Sequence, residues 1–187
     1  MSVGDHEACT ELSNMRYSIE SHKNRNDFAM ALGNLDLYSN IEAMTPLNPF
    51  VRFPDGRPKA PDALLERMRE VTVEEAWHVL KENGYLYQHT NNWQVLHPDQ
   101  VLVGRAVTAM FVPTRKDLHD IVEAWGTSKG IVGLHNSFAI DALQEGDVLV
   151  VDMQGKVREG TFAGDNLGTA IANKTKCGAV IDGGVRD

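Results

Sequence analysis

Three β-branched, apolar runs separated by stretches of helical spacing constrain this chain most. "VLVGRAVTAMFV" (101–112), the start of "GDVLVVDMQGKVREGTF" (146–162) and "GAVID" (178–182) have the length and composition of strands. The first reads as a strand buried on both faces, because apolar residues occupy consecutive positions. The second reads as a strand, a turn at Gln154-Gly155, and a further strand. "RKDLHDIVEAWG", ending near Gly126, and the short "HNSFAIDALQ" read as helices between the first two runs. A turn at Gly164 and a helix over 166–176 precede the third. This alternation predicts an α/β layered domain with a mixed sheet.

Upstream, "DALLERMREVTVEEAWHVLKENGY" predicts helices near 62–70 and 73–83. Thr72 and Glu75 have capping-box spacing, and Gly84 follows Lys81 as a helix stop. Earlier still, Pro46, Pro49, Pro54, Pro58 and Pro61 and the Asp55-Gly56 turn pair break any long element. Residues 1–61 are therefore expected to form an irregular N-terminal arm or extension, and 62–187 the domain proper.

Composition removes several function classes. A net charge of −8 and a pI near 5.3 argue against a sequence-independent nucleic-acid binder, which needs a Lys/Arg surface to neutralise phosphates. Cys9 and Cys177 lack CxxC or Cys/His spacing, so neither a zinc knuckle nor a disulfide framework is indicated, and a cytoplasmic location is expected. No window approaches the roughly 18 apolar residues of a membrane span, and the N-terminus has no apolar signal-like region. At 42% hydrophobic residues the chain has enough apolar material for a core.

The chemistry is concentrated in "GDNLGTAIANKTKCGAVIDGGVRD" (164–187). The order is Gly-Asp turn, helix, apolar strand, Gly-Gly turn and Arg-Asp, which brings the helix N-terminus and the loop after the strand to one sheet edge. Backbone N–H groups at 165–167 would be open donors at the positive helix end, and Arg186 adds a planar fork suited to a carboxylate. Asp165 and Asp187 add oxygen donors of the kind that surround magnesium or manganese. The same residues taken singly also fit a plain helix cap and a surface ion pair.

G-D-N-L at 164–167, twenty residues between Asp165 and Arg186, and "VIDGGVRD" resemble the RraA-like family, with "GDVLVVD" and "VTVEEAWHVL" as further similar segments. The resemblance covers about residues 62–187. That family holds class II 4-hydroxy-4-methyl-2-oxoglutarate aldolases with oxaloacetate decarboxylase activity, and the regulator of ribonuclease E activity A. The resemblance implies a layered β/β/α swivelling domain assembled as a homotrimer or hexamer. It implies a metal-dependent lyase acting on a small 2-oxo acid, with Mg2+ or Mn2+ as cofactor. Arg186 and Asp165 would be catalytic, Gly164, Asp165, Asn166, Leu167 and Arg186 would bind substrate, and Asp187 would hold the metal. The alternative it implies is a non-catalytic regulator that inhibits an RNA-degrading enzyme by protein contact. Family members continue past the Arg-Asp pair and draw an acidic residue from a neighbouring subunit. The chain is accordingly expected to be incomplete at its C-terminus.

Other residues carry weaker signals. His78, His89, His97, His119 and His135 show neither HxH nor HExxH spacing and are read as surface or capping residues. Asn136 is read as a helix cap, with lining of the substrate pocket beside His135 as the alternative. Lys174 and Lys176 sit where a helix C-terminus favours cations, which weighs against a Schiff-base role. Trp77 and Trp125 are expected in the core or at a subunit contact, and Cys177 as a buried small residue.

Overall fold

The computed structural model describes residues 37–186. Cys9, the first 36 residues of the expected arm, and Asp187 with its expected metal-binding role lie outside the described residues. The chain divides into two compact units, Met1–Lys59 and Ala60–Asp187.

In the first unit, helix α1 (Leu37–Met44) leads into a turn organised by two arginines. The Arg52 guanidinium donates to Thr45 Oγ1 at 2.9 Å, Thr45 O at 2.7 Å and Gly56 O at 2.8 Å. Asp55 accepts from Arg57 N and Arg57 Nε, and Gly56 takes φ +81°, so the Asp55-Gly56 pair forms a turn of the kind its sequence predicts.

In the second unit, α2 (Asp62–Met68) and α3 (Val73–Glu82) come first. The Thr72/Glu75 capping box is formed in both directions, Thr72 Oγ1 accepting from Glu75 N and Glu75 Oε2 accepting from Thr72 N. Strand β1 (Arg105–Met110), α4 (Lys116–Ser128), α5 (His135–Asp141), β2 (Asp147–Thr161), α6 (Asp165–Thr175) and β3 (Gly178–Gly184) follow. The sheet order is β1-β2-β3 and both pairings are parallel, where a mixed sheet was expected. The reason lies in the connections: α4 and α5 return the chain from β1 to β2, and α6 returns it from β2 to β3. Each helical return starts the next strand at the same end.

The core gathers on the central strand. Leu149 and Val151 of β2, Val107 of β1, Ile140 and Leu143 around α5, Ile171 of α6, and Phe162 and Ala163 form one buried cluster. β1 departs from its sequence reading. Arg105 and Val107 are buried, but Ala106, Thr108 and Met110 are exposed, so this edge strand is covered on one face only. Its Arg105 is buried at the N-terminal end, opposite Asp147 in register, with Nε donating to Ala60 O at 2.8 Å and the guanidinium paired to Asp62. Gly146, at φ +81°, leaves room for that guanidinium; a Cβ there would stand 2.6 Å from Arg105 Nη1.

Strand β2 turns where the sequence says it should. Gln154 and Gly155 have φ +57° and +66°, Asp152 Oδ1 accepts from Gln154 N at 2.7 Å, and the register against β3 shifts between Asp152 and Lys156. The Gly183-Gly184 pair is no turn: β3 runs through it. These glycines let β3 press on the bulged strand, since a Cβ on Gly184 would lie 2.7 Å from Val157 O and one on Gly183 2.8 Å from Met153 Cβ. Trp77, expected in the core or at a subunit contact, is exposed on α3, where no residue is buried. No described helix is long and apolar enough to cross a membrane.

Candidate active site

In a parallel sheet the loops leaving the C-terminal strand ends converge, and those after β2 and β3 carry the predicted site residues. Two backbone hydrogen bonds extend the ladder beyond the strands: Phe162 N donates to Gly184 O at 2.9 Å, and Arg186 N to Ala163 O at 3.0 Å. They hold 162–164 beside 184–186, which closes the twenty-residue gap between Asp165 and Arg186.

Helix α6 begins at Asp165 with Gly164 as its N-cap, and Gly168 N donates to Gly164 O at 2.9 Å. Gly164 is extended, at φ −114° and ψ −164°, so its backbone does not demand glycine. Space does. A Cβ at this position would lie 3.1 Å from Arg186 Nε and 3.2 Å from its Cγ and Cζ. The Arg186 side chain therefore lies on the bare backbone at the start of α6, and its exposed guanidinium shares the positive helix end with solvent.

One expected donor is engaged. Asn166 N donates to Asp165 Oδ1 at 2.7 Å, so the 165–167 amides are not all open as the sequence implied. The Asp165 carboxylate thus occupies the amide of the residue that follows it. Leu167 is half-buried with its side chain against the core cluster, so its contribution to a ligand site is confined to its backbone.

A cavity of about 270 Å³ lies beside this loop, and none of residues 164–167 or Arg186 lines it. Phe111, Leu134, Met153 and Phe162 form its apolar wall, and His119, Glu123, His135 and Asn136 its polar one. Asn136 is not the cap of α5; that position belongs to Leu134. Instead Asn136 Nδ2 donates to Phe162 O at 2.8 Å, tying the start of α5 to the loop that carries Gly164. Sequence reasoning missed the cluster of His119, Glu123 and His135, whose ligand atoms all lie within 4.8 Å of one another. Its signal was His and Glu four residues apart on one helix face, a spacing outside the HxH and HExxH patterns.

The lysines and Cys177 take structural positions. Lys174 Nζ reaches Asp141 O at 3.1 Å and Oδ1 at 3.2 Å, tying α6 to α5, and Lys176 is the left-handed cap of α6 at φ +57°. Cys177, half-buried rather than buried, directs its thiol at Val103 O, and burial pushes that thiol's pKa up, away from a reactive thiolate.

Comparison with known proteins bears on the family of the chain. The family model RraA-like, described as Aldolase/RraA, matches residues 70–187. A solved structure from Streptomyces coelicolor, RraAS2, described as an unusual member of the RNase ES inhibitor RraA protein family, is 28% identical over 70% of this chain, with a TM-score of 0.48. The chain spans 57% of that structure's length. No curated protein matches. With the family model covering the sheet, α6 and the Arg186 segment together, the chain belongs to the RraA-like family.

Proposed function

We propose that the protein is a divalent-metal-dependent lyase that cleaves 4-hydroxy-2-oxo acids to pyruvate and a second carbonyl compound, decarboxylates oxaloacetate, or does both. The observation that carries this reading is the Arg186 side chain lying on Gly164 at the N-terminus of α6. A guanidinium fork and a positive helix end share one small site, which suits the carboxylate and adjacent carbonyl of a 2-oxo acid. Arg186 binds the substrate carboxylate, and the backbone of 164–167 orients the pyruvyl unit beside it. Asp165, exposed and anchored through Asn166 N, lies within the same loop to hold or pass a proton through water.

An oxygen-rich donor set of aspartate and water suits Mg2+ or Mn2+, and Asp187, adjacent to Arg186, is the residue assigned to it. When bound, that ion supplies a Lewis acid for the enolate oxygen. The family also contains homo-oligomers, and a trimer or hexamer is the proposed assembly.

Pyruvate release from oxaloacetate and from 4-hydroxy-4-methyl-2-oxoglutarate, measured on the full-length gene product with magnesium and with chelator, tests the reading. Arg186→Ala should lose most of the magnesium-dependent kcat/KM for pyruvate release. An unchanged kcat/KM in that variant would overturn the assignment of Arg186. A folded, assembled wild type without pyruvate release from either acid would shift the reading to the regulator branch, whose readout is inhibition of an RNA-degrading enzyme.

A further inference from the structure

We propose that His119, Glu123 and His135 form a second metal site, of the zinc class and separate from the oxygen-donor site proposed at Asp187. His119 and Glu123 stand one turn apart on α4, and His135 opens α5. Both imidazoles converge on the same carboxylate oxygen: Glu123 Oε2 is 3.1 Å from His135 Nε2 and 3.9 Å from His119 Nε2. The two rings are 4.6 Å apart between centroids. Tetrahedral zinc with bonds of about 2.0–2.1 Å holds its ligand atoms about 3.3 Å apart. The two imidazole–carboxylate spacings bracket that value, and all three ligand atoms lie within 4.8 Å of one another.

A hydrogen-bonded His–Glu pair needs only one imidazole on the carboxylate. Here two face it, in the 270 Å³ cavity also lined by Phe111, Leu134, Met153 and Phe162. Two nitrogens and one oxygen select borderline ions such as zinc or cobalt over magnesium. Three protein ligands leave a fourth position for water or a small anion from the cavity.

The surroundings position the ligands. Gly126 of α4 admits the Phe138 ring of α5, whose atoms would lie 2.3 Å and 2.5 Å from a Cβ on that glycine. That ring packs 5.3 Å from the His135 ring, fixing α5 against α4 about one turn beyond Glu123. On the far side of His119, Asp120 Oδ1 lies 3.7 Å from Nδ1, and Lys116 Nζ holds the same carboxylate at 2.7 Å. At 3.7 Å the Asp120 contact is an electrostatic neighbour rather than a hydrogen bond, and it leaves His119 Nε2 directed towards Glu123.

Cobalt(II) is the probe, because a four-coordinate site absorbs visible light far more intensely than an octahedral surface-bound ion. The metal-stripped full-length protein, prepared without a histidine tag, should take up one equivalent of Co2+ with such a band, and Zn2+ should abolish the band by displacement. His119→Gln and Glu123→Gln, both at exposed positions of α4, should each weaken binding by about a hundredfold or more, beyond the loss caused by outer-shell changes. Gly126→Ala should weaken it while leaving all three ligands in place. Asp165→Asn should leave it unchanged, which separates this site from the proposed substrate site. Absence of a four-coordinate band, or a band that survives His119→Gln combined with Glu123→Gln, overturns the proposal. Chemical shifts of the His119 and His135 rings on zinc addition give a second readout that needs no variant: shifts confined to these two rings support the site, and none overturns it.

Discussion

Gly164 shows how a residue can be required by what lies on it. Its dihedrals are open to any amino acid, so alanine introduces no backbone strain, yet the methyl group meets the flexible Arg186 side chain at 3.1–3.2 Å. The neighbour has to yield by a few tenths of an ångström, and being exposed, it can. Gly164→Ala should therefore preserve the fold and displace the guanidinium. Since Arg186 is assigned to the carboxylate, which is held in ground and transition states alike, the effect should fall on KM, raised roughly tenfold, with kcat less changed. Steady-state pyruvate release measures both; an unchanged KM would mean that Arg186 binds substrate from another position. The nearness of Gly164 and Arg186 was legible because the helix and the apolar strand between them return the chain to one sheet edge. Engagement of the Asn166 amide by Asp165 was not, since it depends on a side-chain rotamer. The His119 cluster was hidden for another reason: His135 reaches it only through the packing of α5 on α4 at Gly126, and no local pattern encodes a contact between helices.

Among the elements, α3 was the most legible, and its energetics are local. The capping box that the sequence announces is formed, but no residue of the helix is buried, so its stability does not draw on the core. Thr72→Ala removes the acceptor for Glu75 N at a cost of about 1 kcal/mol. Amide exchange in the first turn of α3 should quicken roughly fivefold, on the same principle that about 1.4 kcal/mol is tenfold, while the global unfolding temperature stays put. The Glu75 carboxyl gives the same helix a pH signature. Hydrogen bonds from the Thr72 backbone, then from its hydroxyl, hold its pKa below the ordinary value. A depressed carboxyl contributes above its unfolded pKa, and that contribution is lost as pH falls through the folded one. The Thr72 amide resonance, followed in an acid titration, should move at a lower pH than a free glutamate and lose the shift in Glu75→Gln. By contrast β1 was misjudged, because an apolar run does not say whether a strand lies at the centre or at the edge; the order of three strands decides that. Gly183-Gly184 was misread for a related reason, since the space they leave is filled by a bulge in a different strand.

At the scale of the molecule, apolar burial is unevenly distributed. The core lies on β2 and is closed by α5, α6 and Phe162, whereas α2 and α3 contribute no buried residue. Trp77, Leu80, Tyr85, Leu86, Trp93 and Leu102 are exposed in the stretch leading to β1. Large apolar side chains left exposed in this number along one stretch mark a candidate interaction face, and the proposed homo-oligomer would cover it. Two substitutions separate the roles. Leu149 is 0% exposed at the centre of the sheet, so Leu149→Ala should cost about 2–5 kcal/mol in the chain's own unfolding. Leu80 is 37% exposed, so Leu80→Ser should change that unfolding by only about 0.5 kcal/mol. If copies of the chain cover this stretch, Leu80→Ser should instead lower the sedimenting mass from a multiple of the 20.7 kDa chain towards a single chain. Sedimentation of both variants beside the wild type decides the matter: a wild type that sediments as one chain removes the proposed assembly, and an assembly indifferent to Leu80→Ser places the contact on another surface. An exposed apolar stretch that stays exposed in the native state would then need some other cover, because the core around β2 accounts for the fold without it.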